Sequence, residues 1–168
     1  MVGKRLTRIA VEVCILAGGL SSRMGRDKAT LRIGRLTFLG QIRKTARTLA
    51  YPVRVIRHDL VPRCGPLGGI YTALKTTSAE VLLFLACDMP KVREPLLRKL
   101  LKHATGDASI FTWNHGAAGF PFVLSRSALS SVEHLIRRKK FSLQSLANEI
   151  QAKRLRAGRG SQPDLLNI

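Results

Sequence analysis

The sequence predicts an α/β domain with three layers, in which helices cover both faces of a mainly parallel sheet. Apolar runs that suit strands alternate along the chain with segments whose apolar residues recur at helical spacing. One run, at 80–87, is apolar almost throughout, as expected for a strand that is covered on both faces. In such sheets, ligands bind beyond the carboxyl ends of the strands. The residues that directly follow the strands are therefore the first place to look for function.

Each element has its own signal. The first strand is predicted over 9–17, where an aliphatic and β-branched run stops at two glycines, and a helix with a periodic apolar face follows at 37–50. The helix at 65–77 opens with Gly-Pro, which suits a first helical turn. Further helices are predicted at 93–104, 127–139 and 142–150. Further strands are predicted at 51–57, 80–87, 108–113, 119–125 and 151–156.

Length and composition indicate one globular domain over residues 1–168. The chain has 45% hydrophobic residues, enough for a core, and no apolar run approaches the ~20 residues that span a bilayer. The basic start resembles a secretion signal, but Glu12 interrupts the apolar run, so we interpret it as the first strand of a cytoplasmic protein. Three cysteines without C-x-x-C spacing argue against disulfides and a zinc site.

The chain is strongly basic. Its 29 Lys and Arg residues outnumber 10 Asp and Glu, which gives a net charge of +19 and favours anionic ligands or partners. The nine aromatic residues (one Trp, two Tyr and six Phe) form no basic-aromatic stacking pattern, so nucleic acid is not expected as a partner. The run RRKK at 137–140 is either a solvated helix end or a docking patch for an anionic partner.

The stretch CILAGGLSSRMGRDKA, at residues 14–29, is a candidate phosphate-binding loop. Gly18 and Gly19 allow main-chain N–H groups to approach a polyphosphate closely. Arg23 offers a planar fork for phosphate oxygens, and Lys28 offers a point charge. The spacing is that of neither a Walker P-loop nor a dinucleotide fingerprint. A tight turn with solvated charges is the simpler alternative.

Two further segments follow predicted strands. Asp88, in CDMP at 87–90, ends the most apolar strand, where a carboxylate is a good anchor for Mg²⁺; the alternative is a helix cap or turn residue. In DLVPRCGPLGG, at 59–69, Gly65 and the later glycines permit close backbone approach, and Asp59 could accept hydrogen bonds from a base. Here the alternatives are a turn aspartate and glycines that serve packing.

Together, LAGGLSSRMGRDKA, DLVPRCGPLGGI and CDMP resemble the molybdenum cofactor guanylyltransferases, which are MobA-like nucleotidyltransferases. The order and rough spacing of the motifs fit this family, and the resemblance covers most of the chain. It implies a Rossmann-like nucleotidyltransferase fold. It also implies transfer of GMP from GTP to the phosphate of molybdenum-molybdopterin, with release of pyrophosphate.

The resemblance also implies roles for individual residues. Leu16, Ala17 and Gly18 would hold the nucleotide by main chain, and Lys28 would bind phosphate. Asp59 would contact the guanosine part, and Asp88 would bind Mg²⁺ and nucleotide. The implied partners are GTP and molybdopterin as substrates, together with cofactor insertion proteins or target apoenzymes. Arg23 and Lys28 would stabilise the growing negative charge during the reaction, together with the Mg²⁺ that Asp88 would hold.

The chain departs from the family in two segments, and three alternative functions stay open. The interval at 51–59 is short, so the sheet is expected to have room for one strand fewer. The tail RGSQPDLLNI carries Arg159 and Ser161 where the family has asparagines. The alternatives are a related transferase using another nucleotide or acceptor, a nucleotide-binding protein without turnover, and a nucleic-acid-binding protein.

Overall fold

The structure of the protein is a computed structural model, which describes residues 9–18, 32–104 and 108–156. The strands are β1 (Val11–Leu16), β2 (Arg32–Ile33), β3 (Leu36–Thr37), β4 (Val53–Ile56), β5 (Val81–Ala86), β6 (Ile110–Asn114), β7 (Ala117–Ser125) and β8 (Lys153–Arg156). The helices are α1 (Phe38–Arg47), α2 (Pro66–Lys75), α3 (Glu94–His103), α4 (Leu129–Arg137) and α5 (Leu143–Glu149), and a short 3₁₀ turn (Arg126–Ala128) precedes α4.

Six of the strands form one sheet in the order β4-β1-β5-β7-β6-β8. β1 pairs in parallel with both β4 and β5, and β6 pairs in parallel with β8. β7 is antiparallel to its two neighbours, β5 and β6. The sheet is therefore mainly parallel, as predicted. The carboxyl ends of β1, β4 and β5 meet at one edge, because adjacent parallel strands end on the same side.

Helices cover both faces of this sheet, because side chains of a strand alternate between the faces. On one face, Val13 and Ile15 of β1 pack in a core with α1 and α3. On the other face, Cys14 and Leu16 belong to a core shared with α2, α4 and α5. Phe122 stacks between two further aromatic rings in this second core. The predicted arrangement of three layers is confirmed.

Most predicted elements are present with ends shifted by a few residues. The β2–β3 hairpin was not predicted, because two strands of two residues each have too short a pattern to recognise. Between α1 and α2 the structure has one strand, β4, which lies at the edge of the described sheet. This fits the expectation from the short interval at 51–59. No helix among the described residues is long and apolar enough to cross a membrane.

Candidate functional site

The ends of β1 and β4 are tied together by main-chain hydrogen bonds. The carbonyl oxygen of Ile56 accepts from Ala17 N, at 2.8 Å, and from Gly18 N, at 3.1 Å. A Cβ atom added at Gly18 would lie 2.5 Å from the carbonyl oxygen of Arg57. Only glycine allows the two strand ends to approach this closely. Gly18 itself is exposed, so this backbone is accessible from the edge of the sheet.

The end of β5 is bonded to the end of β1 as well. Cys87 N donates to the carbonyl oxygen of Leu16, at 3.2 Å, just beyond the last ladder pair of β1 and β5. Asp88 is the next residue and is half-buried in the turn that follows β5. The backbone of Asp88 therefore directly follows a residue that is bonded to the end of β1, and Asp88 comes after the carboxyl end of β5, as the sequence predicted.

Asp59 packs against the first turns of α2. A Cβ atom at Gly68 would lie 2.6 Å from Asp59 Oδ2, and one at Gly69 would lie 3.5 Å from Asp59 Oδ1. The same added atom at Gly69 would lie 3.1 Å from Leu16 Cδ2. The two glycines thus leave room both for the aspartate and for the end of β1. Packing against Asp59 and Leu16 is the alternative role that the sequence left open for these glycines, and their approach to a ligand stays a prediction.

The loop that carries Asp59 is fastened to α2 by one threonine. Leu60 N donates to Thr72 Oγ1, at 2.9 Å, and Thr72 Oγ1 donates in turn to the carbonyl oxygen of Gly68, at 2.8 Å. Gly65 precedes the helix with a φ of +55°, a left-handed conformation that favours glycine. These contacts fix the loop relative to the helix and so determine where Asp59 lies.

Burial at this position has an electrostatic effect. It raises the pKa of the Asp59 carboxyl above its ordinary value, and the neighbouring His58 partly offsets that rise. Burial also raises the pKa of the Cys64 thiol, and the nearby Asp59 carboxylate adds to that effect. Asp59 therefore lies in surroundings that disfavour its charge. A ligand that donates hydrogen bonds to the carboxylate would compensate for the lost hydration.

Asp88 is the residue at this edge that the sequence predicted to bind a metal ion. Across the described residues, no group of three or more His, Cys, Asp or Glu side chains could hold a metal ion. Mg²⁺ commonly uses one or two carboxylates and completes its shell with substrate phosphates and water. The half-buried carboxylate of Asp88 fits this mode of binding.

The structure brings together six of the residues that the sequence singled out. These are Leu16, Ala17, Gly18, Asp59, Gly65 and Asp88. The other three, Gly19, Arg23 and Lys28, lie outside the described residues, as does the tail with Arg159 and Ser161. Their roles stay predictions.

Sequence reasoning missed Thr72 and the carbonyl group of Arg57. Both act through contacts between segments that are distant in sequence or on different strands. A threonine one turn after a glycine, inside an apolar helix, carries no signal of such a role.

The comparisons with known proteins agree with this geometry. The family described as MobA-like NTP transferase domain matches residues 13–154. A probable molybdenum cofactor guanylyltransferase from Methanothermobacter thermautotrophicus is 31% identical to the chain, and the match covers 86% of each protein. Another from Flavobacterium johnsoniae is 27% identical over 92% of this chain and 89% of the relative.

A solved structure shows the same fold at lower identity. The molybdopterin-guanine dinucleotide biosynthesis protein A from Archaeoglobus fulgidus superimposes with a TM-score of 0.66. The match covers 94% of this chain and 91% of the other, at 16% identity. The sheet order, the convergent strand ends and the match over residues 13–154 lead to one conclusion: the chain belongs to the MobA-like NTP transferase family.

Proposed function

We propose that this protein transfers GMP from GTP to molybdenum-molybdopterin and releases pyrophosphate. Relatives that match most of the chain carry the name molybdenum cofactor guanylyltransferase. The single observation that carries the proposal is the convergence of the β1 end, Asp59 and Asp88 at one edge of the sheet. Nucleotidyl transfer needs mainly positioning and charge stabilisation, which such a site can provide.

The geometry suggests how guanine would be distinguished. The N–H groups of Ala17 and Gly18 already donate to the carbonyl oxygen of Ile56, and the carbonyl oxygen of Leu16 already accepts from Cys87 N. The main chain here would therefore present chiefly the carbonyl oxygens of Ala17 and Gly18 to a ligand. Carbonyl oxygens suit the donors on the Watson–Crick edge of guanine. The carboxylate of Asp59 would accept further hydrogen bonds from the guanosine part.

The reaction requires no nucleophile from the protein. A phosphate oxygen of the acceptor attacks the α-phosphorus of GTP in line, a new P–O bond forms, and the bond to the leaving pyrophosphate breaks. Arg23 and Lys28 would stabilise the negative charge of the triphosphate. Asp88 would hold Mg²⁺, which neutralises charge on the α-phosphate and on the leaving pyrophosphate. Magnesium dependence and these residue roles are part of the proposal.

The proposal also covers the cellular location of the protein and its partners. Cys14, Cys64 and Cys87 form no disulfide, which suits a reducing compartment, and we propose that the reaction takes place in the cytoplasm. The guanylylated cofactor would pass to insertion proteins or to target apoenzymes, which are the proposed partners.

Pyrophosphate release tests the proposal directly. With GTP, Mg²⁺ and molybdenum-loaded molybdopterin, the wild-type protein should release pyrophosphate. Asp88→Asn keeps the shape of the side chain but removes the charge that holds the metal. The rate should therefore fall by about a hundredfold or more, since a bound metal supplies several kcal/mol to such reactions.

The matched control is Glu80→Gln, an acid-to-amide change just before β5, at the opposite end of that strand. It should leave the rate within about twofold of wild type, because Glu80 is exposed and distant from the reacting edge. Folded wild-type protein that releases no pyrophosphate, or an Asp88→Asn variant that keeps the full rate, would contradict the proposal.

A further inference from the structure

Among the described residues, the helices on the two faces of the sheet differ in charge. The helices α1 and α3 together carry six Lys or Arg residues and one Glu. The helices α2, α4 and α5 on the other face carry two Lys or Arg and two Glu, and three further exposed cations, Arg138, Lys139 and Lys140, follow the end of α4. The basic side chains of α1 and α3 are all exposed: Arg43, Lys44, Arg47, Arg98, Lys99 and Lys102. We call this surface the α1–α3 face.

A groove runs along the α1–α3 face. It has a volume of about 480 Å³ and lies between α1 and the segment 90–94 at the start of α3. Lys44, Lys91 and Arg93 line it together with polar side chains of α1. Glu94 is its one acidic lining residue, and the side chain of Arg98 already pairs with that carboxylate. The groove therefore presents positive charge and hydrogen-bond donors.

The groove lies next to the candidate site. Its lining includes Pro90 and Lys91, which follow Asp88 by two and three residues. A molecule seated there would be close to the reacting edge of the sheet. A nucleoside triphosphate and a pterin phosphate together need only a few cations, so the charge of this face exceeds what the proposed reaction uses.

We propose that the α1–α3 face is a docking surface for an acidic segment of a partner protein, seated in the groove between α1 and α3. Carboxylates of such a segment would pair with Lys44 and Lys91 and with the basic rim around them. The proposal does not depend on which nucleotide the enzyme uses.

Other occupants fit this face less well. A second copy of the chain cannot supply the complementary charge, because the whole chain has only 10 Asp and Glu against 29 Lys and Arg. Single-stranded nucleic acid would need exposed rings for base stacking, and the one aromatic residue of α1 and α3, Phe38, is buried.

The test uses the full chain and a short fluorescent peptide in which Glu alternates with Ala. The Gln-for-Glu counterpart of this peptide is the neutral probe. The Glu peptide should bind and the Gln peptide should not. The triple variant Arg43→Glu, Lys44→Glu, Lys99→Glu should weaken Glu-peptide binding by about tenfold or more, because three attractions become repulsions.

A second triple variant controls for the change in the net charge of the protein. Arg137→Glu, Arg138→Glu, Lys140→Glu makes the same charge change at the end of α4, where the basic run 137–140 is exposed. It should change peptide affinity by less than about threefold, since exposed charges more than about 10 Å away are largely screened. Thermal unfolding confirms that both variants fold. If the first triple variant does not, the single change Lys44→Glu inside the groove should weaken binding by about threefold.

Several results would overturn the proposal. One is no binding of the Glu peptide, and another is equal weakening in both triple variants, which would show non-specific attraction to total charge. Weakening only in the 137–140 variant would place the docking surface at that run instead. Tighter binding of a DNA or RNA oligonucleotide, removed by the change on the α1–α3 face, would make this a nucleic-acid surface.

Discussion

At the scale of single residues, two glycines of the candidate site are required by contact distance. Gly18 and Gly68 have ordinary backbone angles, but an added Cβ would lie 2.5 Å from Arg57 O in one case and 2.6 Å from Asp59 Oδ2 in the other. Real side chains do not approach that closely, so any larger residue must displace a strand end or the aspartate. These glycines link the fold directly to the position of the site.

Gly68→Ala should therefore damage both stability and nucleotide binding. The added methyl group meets Asp59 Oδ2 and, at 2.9 Å, the carbonyl oxygen of Val61. We expect a loss of about 1–3 kcal/mol in the free energy of unfolding and a weaker affinity for GTP. Denaturant unfolding and calorimetry measure the two effects.

Gly119→Ala is the control, because an added Cβ there meets nothing within 4 Å. It should change the free energy of unfolding by less than about 0.5 kcal/mol and leave GTP affinity unchanged. Equal effects of the two substitutions would show that the contact between Gly68 and Asp59 is unimportant.

Asp59 gives a prediction about pH. Its pKa in the folded protein is raised above the ordinary value of 3.8, chiefly because the carboxyl is buried. The folded state thus binds the proton more readily than the unfolded state. The stability contributed by the protonated carboxyl is present below the ordinary pKa and is lost as pH rises through the folded pKa.

Asp59→Asn should accordingly raise the melting temperature at neutral pH, and this gain should shrink as pH falls towards 3.8. The same change should weaken GTP binding, because the amide lacks the charge that would attract the donors of guanosine. Thermal unfolding over a pH series, with calorimetry at neutral pH, measures both. A gain in melting temperature that does not vary with pH would contradict the assigned cause.

At the scale of elements, α2 is held to its surroundings at two points. Thr72, in the second half of the helix, accepts a hydrogen bond from Leu60 N of the preceding loop. At the end of the helix, Arg54 of β4 donates to the carbonyl oxygen of Ala73, at 3.0 Å, and to Thr76 Oγ1, at 2.6 Å. Arg54 also pairs with Glu12 of β1, at 2.9 Å. The helix that supports Asp59 is thus anchored to two neighbouring strands.

Arg54→Met should destabilise the protein by about 1–3 kcal/mol. The substitution leaves the mostly buried carboxylate of Glu12 without its cation and the end of α2 without its donor. Changing both partners, Glu12→Leu with Arg54→Met, should recover part of the loss, because the carboxylate no longer needs a partner. Denaturant unfolding of the three variants measures the difference.

Lys75→Met is the matched control for Arg54. Lys75 pairs with Glu133 at 3.3 Å, but both side chains are much more exposed. Its removal should cost less than about 0.5 kcal/mol. Similar losses for Lys75→Met and Arg54→Met would mean that burial of the Glu12–Arg54 pair contributes nothing.

At the scale of the whole molecule, ligand binding is expected to stabilise the fold in a nucleotide-specific way. A ligand present at 100 times its Kd adds about 2.7 kcal/mol to the free energy of unfolding. With Mg²⁺, GTP should therefore raise the melting temperature by about 5–10 °C, while ATP, CTP and UTP at equal concentration raise it less. Lys28→Ala should remove most of the shift.

The relative shifts in melting temperature with the four nucleotides distinguish the alternative functions. A larger shift with CTP would indicate a cytidylyl relative of the proposed enzyme. A GTP shift without pyrophosphate release would indicate a nucleotide-binding protein that has lost turnover. Equal shifts with all four nucleotides would contradict guanine recognition through the ends of β1 and β4.

The sequence alone was sufficient for most elements and for where the site should lie. The apolar run of β5 and the periodic faces of α1 and α3 have strong local patterns, because burial imposes a period on each kind of element. The two-residue strands β2 and β3 are too short to show one. The end of the apolar run also predicted that Asp88 would follow the carboxyl end of a buried strand.

Only the tertiary structure decided how the site is held together. The bond from Cys87 to Leu16, the approach of Gly18 to Arg57, and the contact of Asp59 with Gly68 each join segments that sequence order does not pair. The division of charge between the two helical layers likewise depends on which helices share a face of the sheet. Local patterns fix the elements, because propensity and periodicity act over short stretches, whereas distances between elements exist only after the chain has packed.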